Sequence, residues 1–121
     1  MNQKESSKHY DLEERTYQFA RRVRDFIKKL PKTISNIEDS RQLVKASGSV
    51  GANYREANEA LSKKDFIMRV KICRKESKES RYWLGLIDIG QNKDLETERR
   101  YLENEAIELT HIFGAIVTKS K

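Results

Sequence analysis

The sequence predicts an all-α fold, an antiparallel up-down-up-down bundle of four helices, on three observations. Apolar residues recur at alternating steps of three and four in four separate segments. Each segment is closed by a stop signal, and the connections left over are about four to six residues long, which favours antiparallel neighbours. Charged and hydrophobic residues each make up 36% of the 121 residues, with one proline and five glycines, the balance of long amphipathic helices with solvated outer faces. No strand pattern competes. Residues 1–10 read as a flexible polar N-terminal segment, and residues 11–121 as one bundle domain.

In the first helix Leu12, Thr16, Phe19, Val23, Phe26 and Leu30 form one stripe, and Pro31 ends it. The second begins near Asn36, a capping residue type with Asp39 three positions on, and its stripe is Leu43, Ala46, Val50, Tyr54, Ala57 and Leu61. Ser62 caps the third, with Asp65 in its first turn. That helix carries Phe66, Val70, Cys73, Ser77, Ser80, Leu84 and Ile87 inward, and Gly90 suits its C-terminal cap. The fourth, from about Asp94, aligns Leu95, Leu102, Ala106, Leu109, Phe113 and Ile116. Small residues fill the middle of helices two and three (Ala46, Ser47, Ala57, Cys73, Ser77, Ser80), so these two helices are expected to form the tightest pair. Helix three also has apolar residues off its core stripe. Met68, Ile72, Trp83 and Leu86 make an arc too wide for one interface, and they are the expected oligomer contact.

The formal net charge of +6 and a pI near 9.5 favour acidic partners such as nucleic acid. The N-terminal residues have no apolar core of signal-peptide type, and no segment approaches the roughly 18 apolar residues of a membrane span, so a cytoplasmic protein without a membrane partner is expected. A single cysteine, Cys73, excludes an internal disulfide and a cysteine-cluster metal site.

The residues from Leu30 to Leu86 resemble a bacterial four-helix bundle family first noticed as open reading frames within intervening sequences of large-subunit ribosomal RNA genes. The resemblance is carried by Leu30-Pro31, by Asn53-x-x-Glu56 within SVGANYREA, and by Lys75-Glu76 followed by Glu79 and Tyr82-Trp83-Leu84. Many relatives have glycine just after the helix-two glutamate, where Ala57 stands here. The resemblance implies a homopentameric ring. It also implies distant similarity to the accessory variability protein of diversity-generating retroelements, a barrel-shaped pentamer that binds nucleic acid and a reverse transcriptase. It implies no enzymatic activity.

Asn53, Glu56, Glu76 and Glu79 fall on or beside the core stripes, where polar groups need partners. A structural hydrogen-bond network that sets helix register is the leading reading. Polar contacts at an oligomer interface come next and catalysis or metal binding last, because the Glu-x-x-His pairs of di-iron bundles are missing. Arg55, Arg69 or Arg74 would supply the counter-charge. Gly48 and Gly51 lie in a helical pattern with no preceding strand and no Gly-Lys-Ser/Thr, so they form no phosphate loop. No metal, cofactor or small-molecule substrate is expected.

Lys71, Arg74, Lys75, Lys78 and Arg81 share one arc of helix three. Helix one adds Arg21, Arg24 and Lys28, together with Arg22 and Lys29. Residues 62–81 hold eight Lys and Arg against three Asp and Glu, a net of +5, whereas residues 94–121 hold four against six, a net of −2. This polarity makes a non-catalytic, oligomeric, sequence-tolerant protein that binds nucleic acid, RNA or RNA-DNA intermediates first, the leading functional reading. A protein-interaction scaffold, or an accessory subunit for a nucleic-acid-processing partner such as a reverse transcriptase, is the alternative. A purely solvated basic face is the plain competitor of both.

Overall fold

The computed structural model of the chain describes the backbone of residues 3–121 and the side chains of residues 12–121. Four helices follow one another: α1 (Gln3–Lys28), α2 (Ile34–Asn58), α3 (Lys63–Leu86) and α4 (Lys93–Ser120). α1 begins inside the stretch expected to be a polar lead-in, and Met1 and Asn2 lie outside the described residues. Consecutive helices pack on one another, and α1 closes the ring against α4. Contacts run antiparallel at each seam. Arg15 meets Glu105 and Arg22 meets Glu98 across α1 and α4, while Val50 meets Cys73 and Asn53 meets Arg69 across α2 and α3. The diagonal pairs, α1 with α3 and α2 with α4, do not approach closely by backbone.

The helix boundaries follow from local chemistry. Single-turn bonds from Lys29 N to Phe26 O and from Leu30 N to Ile27 O tighten the end of α1 before Pro31, which has no N–H to continue it. Thr33, and not Asn36, caps α2: its hydroxyl accepts from Asn36 N at 3.1 Å. Ser62 caps α3 through Asp65 N at 3.0 Å, and Asn92 caps α4 through the Asp94 and Leu95 amides at 3.0 and 3.1 Å. Gly90 is not the cap of α3, which ends four residues earlier. It takes φ +68° in the turn to α4, a conformation that only glycine adopts freely, and donates to Asp88 Oδ1.

The core is one continuous cluster. The whole stripe of α1 is buried, and Leu43, Val50, Val70, Leu84, Leu102, Leu109 and Phe113 complete the centre from the other helices. Each such side chain stabilises the fold by about 1.5–3 kcal/mol over its exposed form. Tyr54 and Phe113 bridge the α2–α4 diagonal with ring centroids 5.8 Å apart. Two stripe positions differ from expectation. Leu61 is fully exposed because α2 stops at Asn58, and Val117 takes the buried place expected of Ile116, which is half-buried beside it.

Small residues set the spacing at two seams. α2 and α3 share the most extensive contact. There Ser47, Ser77 and Ser80 return their hydroxyls to carbonyls of their own helix, and the Cys73 thiol donates to Val50 O at 3.3 Å. Between α1 and α2 the buried Gly51 admits Thr16: a Cβ on Gly51 would lie 3.0 Å from Thr16 Oγ1.

Asn36 has a role that its residue type conceals. It is 2% exposed, its Nδ2 donates to Pro31 O at 2.9 Å and to Asp88 O at 2.8 Å, and its Oδ1 accepts from Asp88 N at 3.0 Å. A single amide thus ties the α1–α2 connection to the α3–α4 connection.

Candidate nucleic-acid interface

The five cations of the α3 arc are all exposed. Among the described residues, none of Lys71, Arg74, Lys75, Lys78 and Arg81 is within 4.0 Å of a carboxylate. For Arg74 and Lys78 the reason lies on the facing helix. Across the seam α4 offers Thr110, Gly114 and Thr118, a small neutral row at steps of four, and a groove runs between this row and Arg74 and Lys78. Arg74 lies along α4 where Gly114 has no side chain: a Cβ there would sit 3.7 Å from Arg74 Nε. His111 and Lys119 line the same groove, so the end of α4 belongs to the basic surface.

Along the α1–α4 seam and within α4 the charges neutralise one another. Arg15 makes a two-pronged contact to Glu105 at 2.7 and 2.8 Å and reaches Glu108 at 3.0 Å. Arg22 pairs with Glu98 at 2.6 Å and lies 3.6 Å above the Tyr101 ring. Arg99 binds Glu96 and the Ile87 carbonyl, and Arg100 shares Glu96. The acidic half of α4 is therefore spent on α1 and on its own helix.

The helix-one cations do not join the α3 arc. α1 and α3 occupy opposite corners of the bundle, so their outer faces point away from each other. Of those cations Arg21 is exposed, Arg24 is half-buried with Nη1 donating to Ala20 O, and Lys28 lies 3.9 Å from Asp25.

The expected polar network is present in part. The Asn53 amide donates to Ser49 O and Ser49 Oγ, both at 2.9 Å, and accepts from Arg69 of α3 at 3.2 Å, while the Arg69 guanidinium lies 3.9 Å from Asp65. Arg55 turns instead to Glu13 at 3.7 Å. Glu76 borders this cluster. Its carboxyl is raised above the ordinary range by burial first and by neighbouring Glu79 second, while the charge of Lys75, a hydrogen bond with Ser49 and the charge of Lys45 oppose the shift. Glu56 and Glu79 are exposed. A step of three carries Glu56 about 60° beyond Asn53 around the helix, which is enough to leave the interface.

The apolar flank of α3 is divided. Met68 is 48% and Leu86 51% exposed, whereas Ile72 is half-buried and Trp83 packs partly against the core. Tyr82, singled out in the sequence only for the family resemblance, is 61% exposed and meets Trp83 edge-on at 5.0 Å between centroids. The small neutral row of α4 was also missed, although its spacing of four was visible in the sequence. Among the described residues no group of three His, Cys, Asp or Glu could hold a metal ion, and no helix is long and apolar enough to cross a membrane. Burial pushes the Cys73 thiol up to about 12.

Comparison with known proteins gives a consistent picture. The profile of the 23S rRNA-intervening sequence proteins matches residues 8–114. A crystal structure of a protein of unknown function from the S23 ribosomal protein family of Bacteroides thetaiotaomicron is similar at 27% identity, with a TM-score of 0.73, over 88% of this chain and 97% of that one. No curated protein matches the chain significantly.

Proposed function

We propose that this chain, which belongs to the 23S rRNA-intervening sequence protein family, is a non-catalytic, homo-oligomeric protein that binds the phosphate backbone of RNA or DNA through α3. The observation that carries the reading is that none of the five α3 cations lies within 4.0 Å of a carboxylate among the described residues, on a molecule whose α1–α4 seam pairs its arginines with glutamates. A solvated face needs no such separation. From Lys71 to Arg81 the stripe is roughly 15 Å long, over which one strand of a duplex presents about four phosphates at ~3.4 Å each. Exposed Met68 and Leu86, beside half-buried Ile72 and Trp83, support assembly with further copies, most simply the pentamer implied by the resemblance. Repetition of the stripe around such a ring would turn weak phosphate contacts into useful affinity.

Binding should fall steeply with salt and depend little on sequence, because phosphate contacts release counterions. Changing Lys71, Arg74, Lys75 and Lys78 together to Gln should lower the log-log salt slope by roughly 3 per engaged subunit. Arg100→Gln, at a cation already paired with Glu96, is the control. A quadruple variant that keeps its oligomeric state and binds like the parent at every salt concentration would overturn the reading. The same exposed apolar residues would then favour a protein-interaction scaffold, recognised by partner capture that survives nuclease treatment.

A further inference from the structure

Lys71, Lys75 and Lys78 follow steps of four and three along the outside of α3, and the next step of four lands on Tyr82. An aromatic ring therefore stands where the stripe calls for its next cation. Tyr82 is the most exposed aromatic among the described residues, at 61%. Two other tyrosine rings are engaged, Tyr54 buried against Phe113 and Tyr101 beneath the Arg22 guanidinium, and Tyr17, 47% exposed, belongs to α1 on the far corner from the α3 stripe. Trp83, anchored partly in the core, supports the Tyr82 ring in a near-perpendicular contact, with 80° between planes. Such a contact occupies an edge or one face of Tyr82, so within one protomer at least one broad face remains exposed.

An open aromatic face in line with unpaired cations is the combination that holds single strands, with charge following the backbone and the ring taking an unstacked base. A duplex keeps its bases stacked on each other and offers a flat ring little to hold. We propose that Tyr82 is a base-stacking platform and that the ligand of this face is single-stranded nucleic acid. The inference rests on the phosphate-binding reading above and adds to it a contribution that salt does not screen.

The test compares three labelled probes with equal numbers of phosphates: a single-stranded oligouridylate, the same strand with its bases removed, and a hairpin duplex. The parent protein should bind the oligouridylate roughly five- to a hundredfold more tightly than the abasic strand, the range expected for one stacked base. Tyr82→Leu should bring that ratio close to one while leaving the salt slope unchanged, and Tyr82→Phe should keep it. Equal binding of the oligouridylate and the abasic strand by the parent would overturn the inference, as would tighter binding of the hairpin or an undiminished ratio in Tyr82→Leu. In each of those cases a salt slope that still depends on Lys71, Arg74, Lys75 and Lys78 leaves the phosphate-binding reading standing. Failure of all three probes to bind at low salt removes both. Should Tyr82→Leu not fold, the parent's comparison of the two single strands decides alone.

Discussion

Replacing Asn36 by Ala removes a side chain that makes three hydrogen bonds between two connections at the same end of the bundle. At a net value of about 1 kcal/mol for each bond the loss is about 3 kcal/mol, and the Asp88 N–H is left facing an empty space. For a chain of this size that corresponds to a melting temperature lower by roughly 10–15 °C. Asn36→Asp separates donors from acceptor. The carboxylate still accepts from Asp88 N, but it sets an oxygen without a proton against the Pro31 and Asp88 carbonyls. Protonation restores one donor, so the folded state holds that proton more tightly than the unfolded chain. The deficit of Asn36→Asp should therefore be largest at neutral pH and shrink as pH falls toward about 4, whereas that of Asn36→Ala should change little. Thermal and urea unfolding followed by far-ultraviolet circular dichroism, at a fixed protomer concentration, measures both. An Asn36→Ala protein within about 0.5 kcal/mol of the parent, or an Asn36→Asp protein of parental stability at neutral pH, would refute the clamp.

Gly48→Ala should stabilise by about 0.5–1 kcal/mol in urea unfolding, since the atom nearest its new Cβ is the movable Arg24 Nη2 at 3.3 Å. Gly51→Ala should destabilise by about 1–2 kcal/mol, because Thr16 is held in place by bonds to Leu12 O and Glu13 O, and pairing it with Thr16→Ala in a double-mutant cycle should recover part of the loss. Glu76→Gln should be more stable than the parent at neutral pH and converge with it in acid: a carboxyl raised in the folded state makes stability fall as pH rises from the ordinary value of 4.5 through the folded one. Glu56→Ala, at an exposed position, should change stability by no more than about 0.5 kcal/mol in urea unfolding. Cys73, buried and with its thiol pushed up to about 12, should react with a thiol reagent at the rate of unfolding and not with the native protein.

The core was legible because helical burial repeats with the helix, and one turn of phase fixes the rest: every residue of the α1 stripe is buried. Caps were less legible. Thr33 and Asn36 are both capping residue types, and only tertiary structure shows that the Asn36 amide reaches the opposite connection while Thr33 holds the amides of α2. Glu56 misled for a related reason, since a wheel drawn from α2 alone does not locate the edge of its contact with α3.

The charge pattern failed in a more instructive way, because the sum over residues 94–121 averages two faces of α4 that do different things. Arg15 and Arg22 are seven apart, as are Glu98 and Glu105, and an antiparallel α1–α4 seam brings the two pairs into register. Those carboxylates face away from α3 and cannot neutralise it. What α4 turns toward the α3 arc is Thr110, Gly114 and Thr118, with His111 and Lys119 in the same groove. The charge that remains for a partner is therefore set in part by the α3–α4 seam, where the C-terminal half of α4 meets Arg74 and Lys78 with a neutral row. Seeing it required knowing which helices are neighbours, information that spacing within one helix does not carry.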